Sequence, residues 1–284
     1  MLRRVLLTGL VSGAIAGAVL TLVHLALVQP LIAKAESFEA VAHNHQAGLA
    51  HAHGGGGLVH THQGAPAKHS HANGISHAHA GGEMAHAHET SSHAHADGAA
   101  HGHDSWAPDD GLERTLFTLL SNLLLGIGYG LLLAAAWAVL GRPVSLSKGL
   151  LWGAAGFASF AFMPALGLPP ELPGAVAGDL MARQSWWLLT ALATAAGLGF
   201  GVFSARSTLR ALGLALIALP HLIGAPHAGP GLAGSAPPEL AAQFVMVSML
   251  ASAVLWVSLG GIGAYVAGRL EVSAAAHAAP KPST

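Results

Sequence analysis

Six long apolar segments constrain the fold of this chain more than any other feature of its sequence. The first runs from Val5 to Val28. Its roughly 24 residues exceed the roughly 7–15 of a signal-peptide core and suffice for a helix that crosses a bilayer. A cleaved signal stays the alternative, because Ala33-Lys34-Ala35 resembles a cleavage site. The other segments are roughly 115–140, 149–168, 185–204, 208–225 and 241–268; the fifth of the six is short and contains Pro220.

The composition agrees with a membrane protein and excludes several other classes. Hydrophobic residues make up 52% of the chain and charged residues 9%, against about 25% charged residues in an ordinary soluble domain. No basic excess suggests nucleic-acid binding. The chain has no cysteine, which excludes disulfides and thiolate metal ligands. It also lacks the P-loop, H-E-x-x-H and G-x-S-x-G motifs, so we expect no enzyme activity.

The positions of lysine and arginine predict the orientation in the membrane. With six spans and a cytoplasmic N-terminus, eight of the twelve basic residues lie on the cytoplasmic side, which the positive-inside rule favours. A five-span alternative, with the short fifth segment re-entrant, leaves the C-terminus outside. The eight cytoplasmic residues are Arg3, Arg4, Arg142, Lys148, Arg206, Arg210, Arg269 and Lys281, and the four others are Lys34, Lys68, Arg114 and Arg183.

A polar segment rich in His, Gly, Ala and Ser separates the first apolar segment from the second. It has almost no large apolar residues and cannot bury enough surface to fold alone, so we predict disorder without metal. The sequence thus predicts an all-α polytopic membrane protein with about six transmembrane helices and a long disordered His-rich extracytoplasmic loop. The predicted parts are a first transmembrane helix (1–33), the His-rich metal-binding loop (34–112), a five-helix transmembrane bundle (113–270) and a disordered cytoplasmic tail (271–284).

Histidines in this loop occur only in H-x-H pairs. In an extended chain residues i and i+2 point to the same side, so each pair can offer two imidazoles to one ion. Imidazole suits Zn, Cu, Ni and Co, whereas Mg and Ca prefer oxygen ligands. We predict that the loop binds a divalent transition metal, either as a sink that concentrates the ion or as an obligatory step. The predicted ligands are His43, His45, His51, His53, His60, His62, His69, His71, His77, His79, His86, His88, His93, His95, His101 and His103.

A second group of residues is predicted near the outer ends of the helices. Ionisable groups inside a membrane usually face a cavity or a partner, and Pro220 frees a backbone carbonyl from the helical ladder. The alternatives are interhelical hydrogen bonding for His24, packing for Met163 and helix capping for Glu171 and Glu239. The predicted pathway residues are His24, Met163, Pro220, His221 and His227, with Glu171, Asp179 and Glu239 on the same side.

Two further patterns concern the packing of the helices. Gly9, Gly13 and Gly17 repeat at four-residue spacing, which favours close approach of another helix. The third and fifth apolar segments each end in a Pro-Gly break followed by Pro-Pro-Glu-Leu, which suggests a duplicated helical hairpin, unless Pro-rich turns merely resemble each other. The QSWW stretch at 184–187 is typical of an interfacial aromatic belt.

Four stretches together resemble the CbtA family of probable cobalt transporter subunits: GLVSGAIAGAVLTLVHLALVQPLIAKAESFE, PALGLPPELPG, RQSWWLLTALATAAGLG and ALPHLIGAPHAG. The resemblance covers about residues 1–42 and 112–270. It implies a multi-pass protein of the bacterial inner (cytoplasmic) membrane, associated with cobalamin-linked cobalt uptake. It also implies a small single-span partner, CbtB, with a histidine motif of its own.

The leading functional hypothesis is therefore a membrane permease subunit that takes up a divalent transition-metal ion, with Co²⁺ as substrate and no permanently bound cofactor. The choice of cobalt rests on the resemblance, because Ni²⁺ and Zn²⁺ share these ligands. The alternatives are a nickel or zinc transporter, a membrane-anchored metal buffer or sensor, and a membrane enzyme that assembles a metal cofactor. Beyond the metal ion and the CbtB-type subunit, the lipid bilayer is the expected partner.

Overall fold

The computed structural model of the protein describes residues 2–49, 68–70, 76–78, 108–140, 145–228 and 234–278. Eight α-helices lie in these ranges, and two of them are joined to the preceding helix through a π-helical turn. The helices are α1 (Leu2–Val23), α2 (Gln29–Leu49), α3 (Leu112–Leu140), α4 (Leu146–Phe157), α5 (Met163–Gly167), α6 (Leu180–Phe203), α7 (Ser207–Ile223) and α8 (Pro238–Ala278). The π-helical turns are His24–Val28, between α1 and α2, and Ala158–Phe162, between α4 and α5.

A proline explains each π-helical turn. Pro30 and Pro164 both stand two residues after the end of a turn. Proline has no N–H, and its ring clashes with the carbonyl four residues earlier, so a regular α-helix is strained just before it. The helix widens there: the Gln29 N–H bonds to the His24 carbonyl and the Met163 N–H to the Ala158 carbonyl, both five residues back.

The first helix continues beyond the boundary predicted at residue 33. Through the π-helical turn, α1 and α2 form one helical rod from Leu2 to Leu49. The stretch AESFEAVAHNHQA contains good helix formers and no proline, so loss of apolar character after residue 33 does not end the helix. Residues 34–49 are therefore helical, not disordered. Ala33-Lys34-Ala35 also lies inside α2, in a helix rather than an extended cleavage segment.

The all-α membrane architecture is confirmed for the described residues. Five helical spans are long and apolar enough to cross a bilayer: Leu2–Val41, Leu112–Leu140, Leu146–Gly167, Leu180–Phe203 and Pro238–Ser273. The fifth of the six predicted spans is α7, which has 17 residues and a length of about 26 Å, somewhat below the roughly 30 Å of a hydrocarbon core. Two three-residue strands, β1 (Lys68–Ser70) and β2 (Ser76–Ala78), pair antiparallel in a separate unit, residues 46–106.

Glycines allow three antiparallel helix pairs to approach closely. The predicted small-residue face of α1 packs against α3: a Cβ on Gly13 would lie 2.5 Å from the Gly126 carbonyl oxygen, and a Cβ on Gly130 equally close to that of Gly9. In the α6–α7 hairpin a Cβ on Gly197 would meet the Gly213 carbonyl oxygen at 2.5 Å. Glycines also line the α4–α8 contact. The expectation of a close-packed helix on the face of Gly9, Gly13 and Gly17 is therefore confirmed.

The Pro-rich loops after α5 and α7 meet at one end of the helices. The Ser235 N–H donates to the Gly174 carbonyl over 3.3 Å, and a Cβ on Gly178 would lie 3.1 Å from the His227 carbonyl oxygen. Gly174 has φ +75°, which disfavours any side chain at this contact. A Cβ there would also lie 3.6 Å from Cδ of Glu39 on α2. The loops after α5 and α7 therefore lie together, beside Glu39 in the middle of α2.

Candidate functional site

The π-helical turn after α1 places His24 against α3. Its Nδ1 lies 3.1 Å from Nδ2 of Asn122, and the same amide nitrogen lies 3.3 Å from Oγ1 of Thr21. Asn122 and Thr21 are buried, at 5% relative exposure each. Asn122 belongs to the close contact between α1 and α3, which we call the α1–α3 seam, since a Cβ on Gly17 would meet the Asn122 carbonyl oxygen at 2.5 Å. Close packing of α1 on α3 thus brings an amide to the imidazole.

The hydrogen bonds around Asn122 assign the proton on His24. Thr21 donates its hydroxyl hydrogen to the Gly17 carbonyl over 2.9 Å, so its oxygen accepts from the Asn122 amide. The second hydrogen of the Asn122 amide can then be accepted by the lone pair of His24 Nδ1, in the tautomer that carries the ring proton on Nε2. In this neutral tautomer Nδ1 is the ring nitrogen able to bind a metal. A cation that takes Nδ1 displaces the Asn122 amide.

Two further polar contacts lie along the same seam toward the exposed end. Gln29 on α2 donates to Oγ1 of Thr118 over 3.3 Å. Arg114 donates from Nη1 to one oxygen of Glu36 over 3.2 Å, and its Nη2 bonds to the other. Arg114, Thr118 and Asn122 share one face of α3 because they are spaced by four residues. We call the contacts His24–Asn122, Gln29–Thr118 and Glu36–Arg114 the polar ladder.

A cleft of about 770 Å³ lies along the polar ladder and is lined by all of its residues except Gln29. Side-chain exposure at its wall rises from buried Asn122 to 29% for Arg114 and 89% for Asp110, so the cleft opens at the Arg114 end. Arg114 also bonds to Asp110 over 2.8 Å. The lining residues are His24, Glu36, Pro108, Asp109, Asp110, Arg114, Phe117, Thr118, Ser121 and Asn122.

The donor atoms of this cleft suit transient contact with a cation. An imidazole nitrogen lies at its inner part and carboxylate oxygens lie at its outer part, and divalent transition metals accept both kinds of ligand. Within the described ranges, however, no three His, Asp or Glu side chains come together as a ready metal site.

His221 lies in a different setting, at the end of α7. The Nε1–H of Trp186 donates to the Pro220 carbonyl over 3.2 Å, and the Gly224 N–H donates to the same oxygen over 3.0 Å. The His221 ring meets the Trp186 ring edge-on at 5.9 Å. Nε2 of His221 is buried without a hydrogen-bond partner. Trp186 is only 7% exposed and packs between helices, and the aromatic-belt prediction for QSWW stays a prediction.

The remaining predicted outer residues are dispersed around these contacts. Met163 is the first residue of α5, and His227 is exposed in the loop beside Gly178. Glu171 pairs with Arg183, so its capping alternative is not what this structure contains. Asp179 caps α6 by accepting from the Ala182 N–H over 2.8 Å, and Glu239 lies in the first turn of α8.

Most of the sixteen paired histidines lie outside the described residues. His43 and His45 belong to α2, where the backbone is helical rather than extended. His69 and His77 are partners across the β1–β2 pair. The prediction that these sixteen histidines bind metal stays a prediction.

Sequence reasoning missed Asn122, Glu36 and Arg114 as site residues. Asn122 was detectable in two ways: it is a lone amide in the apolar run LFTLLSNLLLG, and it precedes Gly126 and Gly130 at four-residue spacing. Pro30 was the signal for the π-helical turn that turns His24 toward α3. Glu36 was hidden by the boundary at residue 33, since a helical Glu36 was not expected.

Among the comparisons with known proteins, a match to one family extends over almost all of the described helices. The family model described as "Probable cobalt transporter subunit (CbtA)" matches residues 2–268. No curated protein and no solved structure matches the chain.

Proposed function

Because the chain belongs to the CbtA family of probable cobalt transporter subunits, we propose that it is a permease subunit for uptake of a divalent transition-metal ion, with Co²⁺ as substrate. The family match over residues 2–268 includes the whole polar ladder and every apolar helix up to the last residues of α8. The word "subunit" in the family description implies a partner subunit. A small single-span protein of the CbtB type is our candidate for that partner.

One observation carries the transport proposal: an imidazole lies in a polar cleft between two helices that are long and apolar enough to cross a membrane. His24 occurs inside the span Leu2–Val41, and its partner Asn122 inside the span Leu112–Leu140. Polar groups at such positions are costly in a bilayer and usually serve an ion or substrate path. The cleft supplies nitrogen and oxygen ligands in sequence, as a path for a borderline metal ion requires.

The sixteen paired histidines supply the capture step in this proposal. With a cytoplasmic N-terminus, the segment between α2 and α3 faces the periplasm of a bacterial inner membrane. Its imidazoles raise the local concentration of metal beside the helices because the segment is covalently attached to both walls of the cleft. Metal bound there exchanges from imidazole pairs to the carboxylates and His24 of the cleft, and then passes inward.

Uptake of ⁵⁷Co by whole cells with and without this chain tests the proposal. We expect chain-dependent accumulation of ⁵⁷Co, competed more weakly by Ni²⁺ and Zn²⁺ than by unlabelled Co²⁺. Stronger competition by Ni²⁺ or Zn²⁺ would reassign the substrate to that metal. Cobalt that binds to cells but stays outside the membrane, released by an impermeant chelator, would make the chain a buffer or sensor instead of a permease.

A further inference from the structure

Arg114 occupies the outer end of the cleft whose inner part holds His24. We propose that Arg114 is the gate of this cleft: paired with Glu36 it closes the cleft to cations, and a divalent cation passes when the guanidinium leaves Glu36. This inference rests on the proposed transport function, since a gate presupposes passage. It adds a residue that determines access and assigns Glu36 as the carboxylate uncovered by opening.

The geometry of the Glu36–Arg114 pair supports a closed state. Both carboxylate oxygens of Glu36 are engaged by the two terminal nitrogens of Arg114, an arrangement with high geometric specificity. The side chains are 29% and 39% exposed, so the pair lies at the border between the cleft and its surroundings. The two inner contacts of the polar ladder, Gln29–Thr118 and His24–Asn122, are neutral. The charged contact of the polar ladder, Glu36–Arg114, is therefore the one at the opening of the cleft.

The charges of the lining explain why this residue controls cations. Arg114 is the one lysine or arginine among the described residues that line the cleft, beside the carboxylates of Glu36, Asp109 and Asp110. A guanidinium stays protonated at any physiological pH and repels a divalent ion at close range. It also occupies the oxygens that such an ion would bind. Movement of Arg114 away from Glu36 removes the repulsion and at the same time frees the Glu36 carboxylate to bind the ion.

The position of the pair in the chain connects the gate to the His-rich segment. All sixteen paired histidines lie between Glu36 and Asp110, and Arg114 bonds to both of these carboxylates. The ion pairs therefore join the two ends of the segment at the opening of the cleft.

Two single substitutions distinguish a gate from a clamp, that is, an ion pair that only stabilises the contact between α2 and α3. Glu36→Gln and Arg114→Gln both break the ion pair, so a clamp predicts the same loss for both. A gate predicts opposite changes in KM for ⁵⁷Co uptake. Glu36→Gln leaves the guanidinium paired with Asp110 alone and removes the carboxylate that opening uncovers, so it raises KM by about threefold to tenfold. Arg114→Gln removes the positive charge and lowers KM by a similar factor. The double variant should lie near the wild type.

A second measurement does not depend on transport. The chain has no cysteine, so Ser121→Cys introduces a single thiol in the lining of the cleft. The ratio of its reaction rates with a cationic and a neutral methanethiosulfonate, in isolated membranes, reports the local charge. We expect Glu36→Gln to lower this ratio and Arg114→Gln to raise it, each by about threefold or more.

The combined results decide the inference. Opposite changes in the thiol ratio without ⁵⁷Co uptake by the wild type would keep the charge control and overturn the transport proposal. Equal changes in both variants, in KM or in the thiol ratio, would overturn the gate. Variants are compared at equal amounts of membrane protein, and Arg114→Lys serves as a matched control that keeps the charge but loses the two-pronged contact.

Discussion

The α1–α3 seam and the α6–α7 hairpin are built from the same components but differ at their outer ends. Each pair approaches through glycines, at Gly13–Gly126 and at Gly197–Gly213, and each contains a proline and a histidine near its outer end. In the seam the histidine contacts an amide and opens onto a charged cleft. In the hairpin it lies against the Trp186 ring, with Nε2 buried and unpartnered.

The residues that continue each glycine face account for this difference. On α3 the face runs outward from Gly126 through Asn122 and Thr118 to Arg114, so polar groups follow the close approach. On α6 the corresponding residues are the short side chains of Thr194 and Thr190, the second of which bonds to its own helix, and then the large ring of Trp186. Long polar side chains leave a cleft, while an indole fills it. Backbone proximity is shared by both pairs, and side-chain chemistry alone makes one of them a candidate path.

The largest effect is expected where the seam is closest. Gly126→Leu places a side chain where even a Cβ would meet the Gly17 backbone within about 3 Å, and we expect a loss of more than about 3 kcal/mol with little folded protein in the membrane. Gly128→Leu is the matched control, because a Cβ at Gly128 meets nothing within 4 Å. Membrane yield and thermal unfolding in detergent measure both. Equal behaviour of the two variants would refute the packing of α1 on α3.

An intermediate, condition-dependent effect is expected from deleting residues 43–103. Metal binds deprotonated imidazole, whose ordinary pKa is about 6.5. At pH 7.5 and scarce cobalt the segment enriches the ion, and we expect its removal to lower initial ⁵⁷Co uptake about threefold. At pH 5.5 the imidazoles are mostly protonated, so wild type and deletion should converge, as they should at saturating cobalt.

Replacing the sixteen histidines by serine at full length is the control for that deletion, because it keeps the chain and removes the ligands. A lower maximum rate that neither metal nor pH relieves would place the segment in translocation or folding. Identical curves under every condition would make it a storage appendage. Either result would contradict the capture role that we propose for the segment.

The smallest effect concerns the hairpin. Trp186→Phe removes the donor to the Pro220 carbonyl, which still accepts from the Gly224 N–H. We expect a loss of about 1 kcal/mol, which corresponds to a decrease of about 2–4 °C in Tm for a protein of this size. Trp187→Phe, on the half-buried neighbour, should change Tm less. An equal decrease in Tm for both variants would mean that the Trp186–Pro220 hydrogen bond contributes nothing measurable to the stability of the hairpin.

The sequence predicts the membrane architecture and one packing face. It does not predict which helix packs on that face, and particular residues show why. Hydropathy identifies the apolar helices because a bilayer demands long apolar runs. The four-residue spacing of Gly9, Gly13 and Gly17 predicts a close contact but cannot name its partner, since several helices carry glycines. Asn122 and Gly126 are found as partners only once α1 and α3 are seen antiparallel.

The candidate site was predictable in part. His24 is identifiable as a histidine within an apolar span, but its direction depends on the π-helical turn that Pro30 imposes, which shifts the face of every later residue. Glu36 pairs with Arg114 across 78 positions of sequence, and no local pattern encodes such a pair. His221 looks equivalent to His24 in sequence, and only packing against Trp186 distinguishes the two.

The central claim is that metal passes through the His24 cleft rather than past His221. Initial ⁵⁷Co uptake at saturating cobalt tests it most directly, because the His-rich segment no longer limits the rate there. We compare His24→Ala with His221→Ala at equal amounts of membrane protein. The account predicts a loss of about tenfold or more for His24→Ala, as for other residues at metal sites, and at most about threefold for His221→Ala. Wild-type uptake by His24→Ala, with uptake lost in His221→Ala, would contradict it and assign the path to the α6–α7 hairpin.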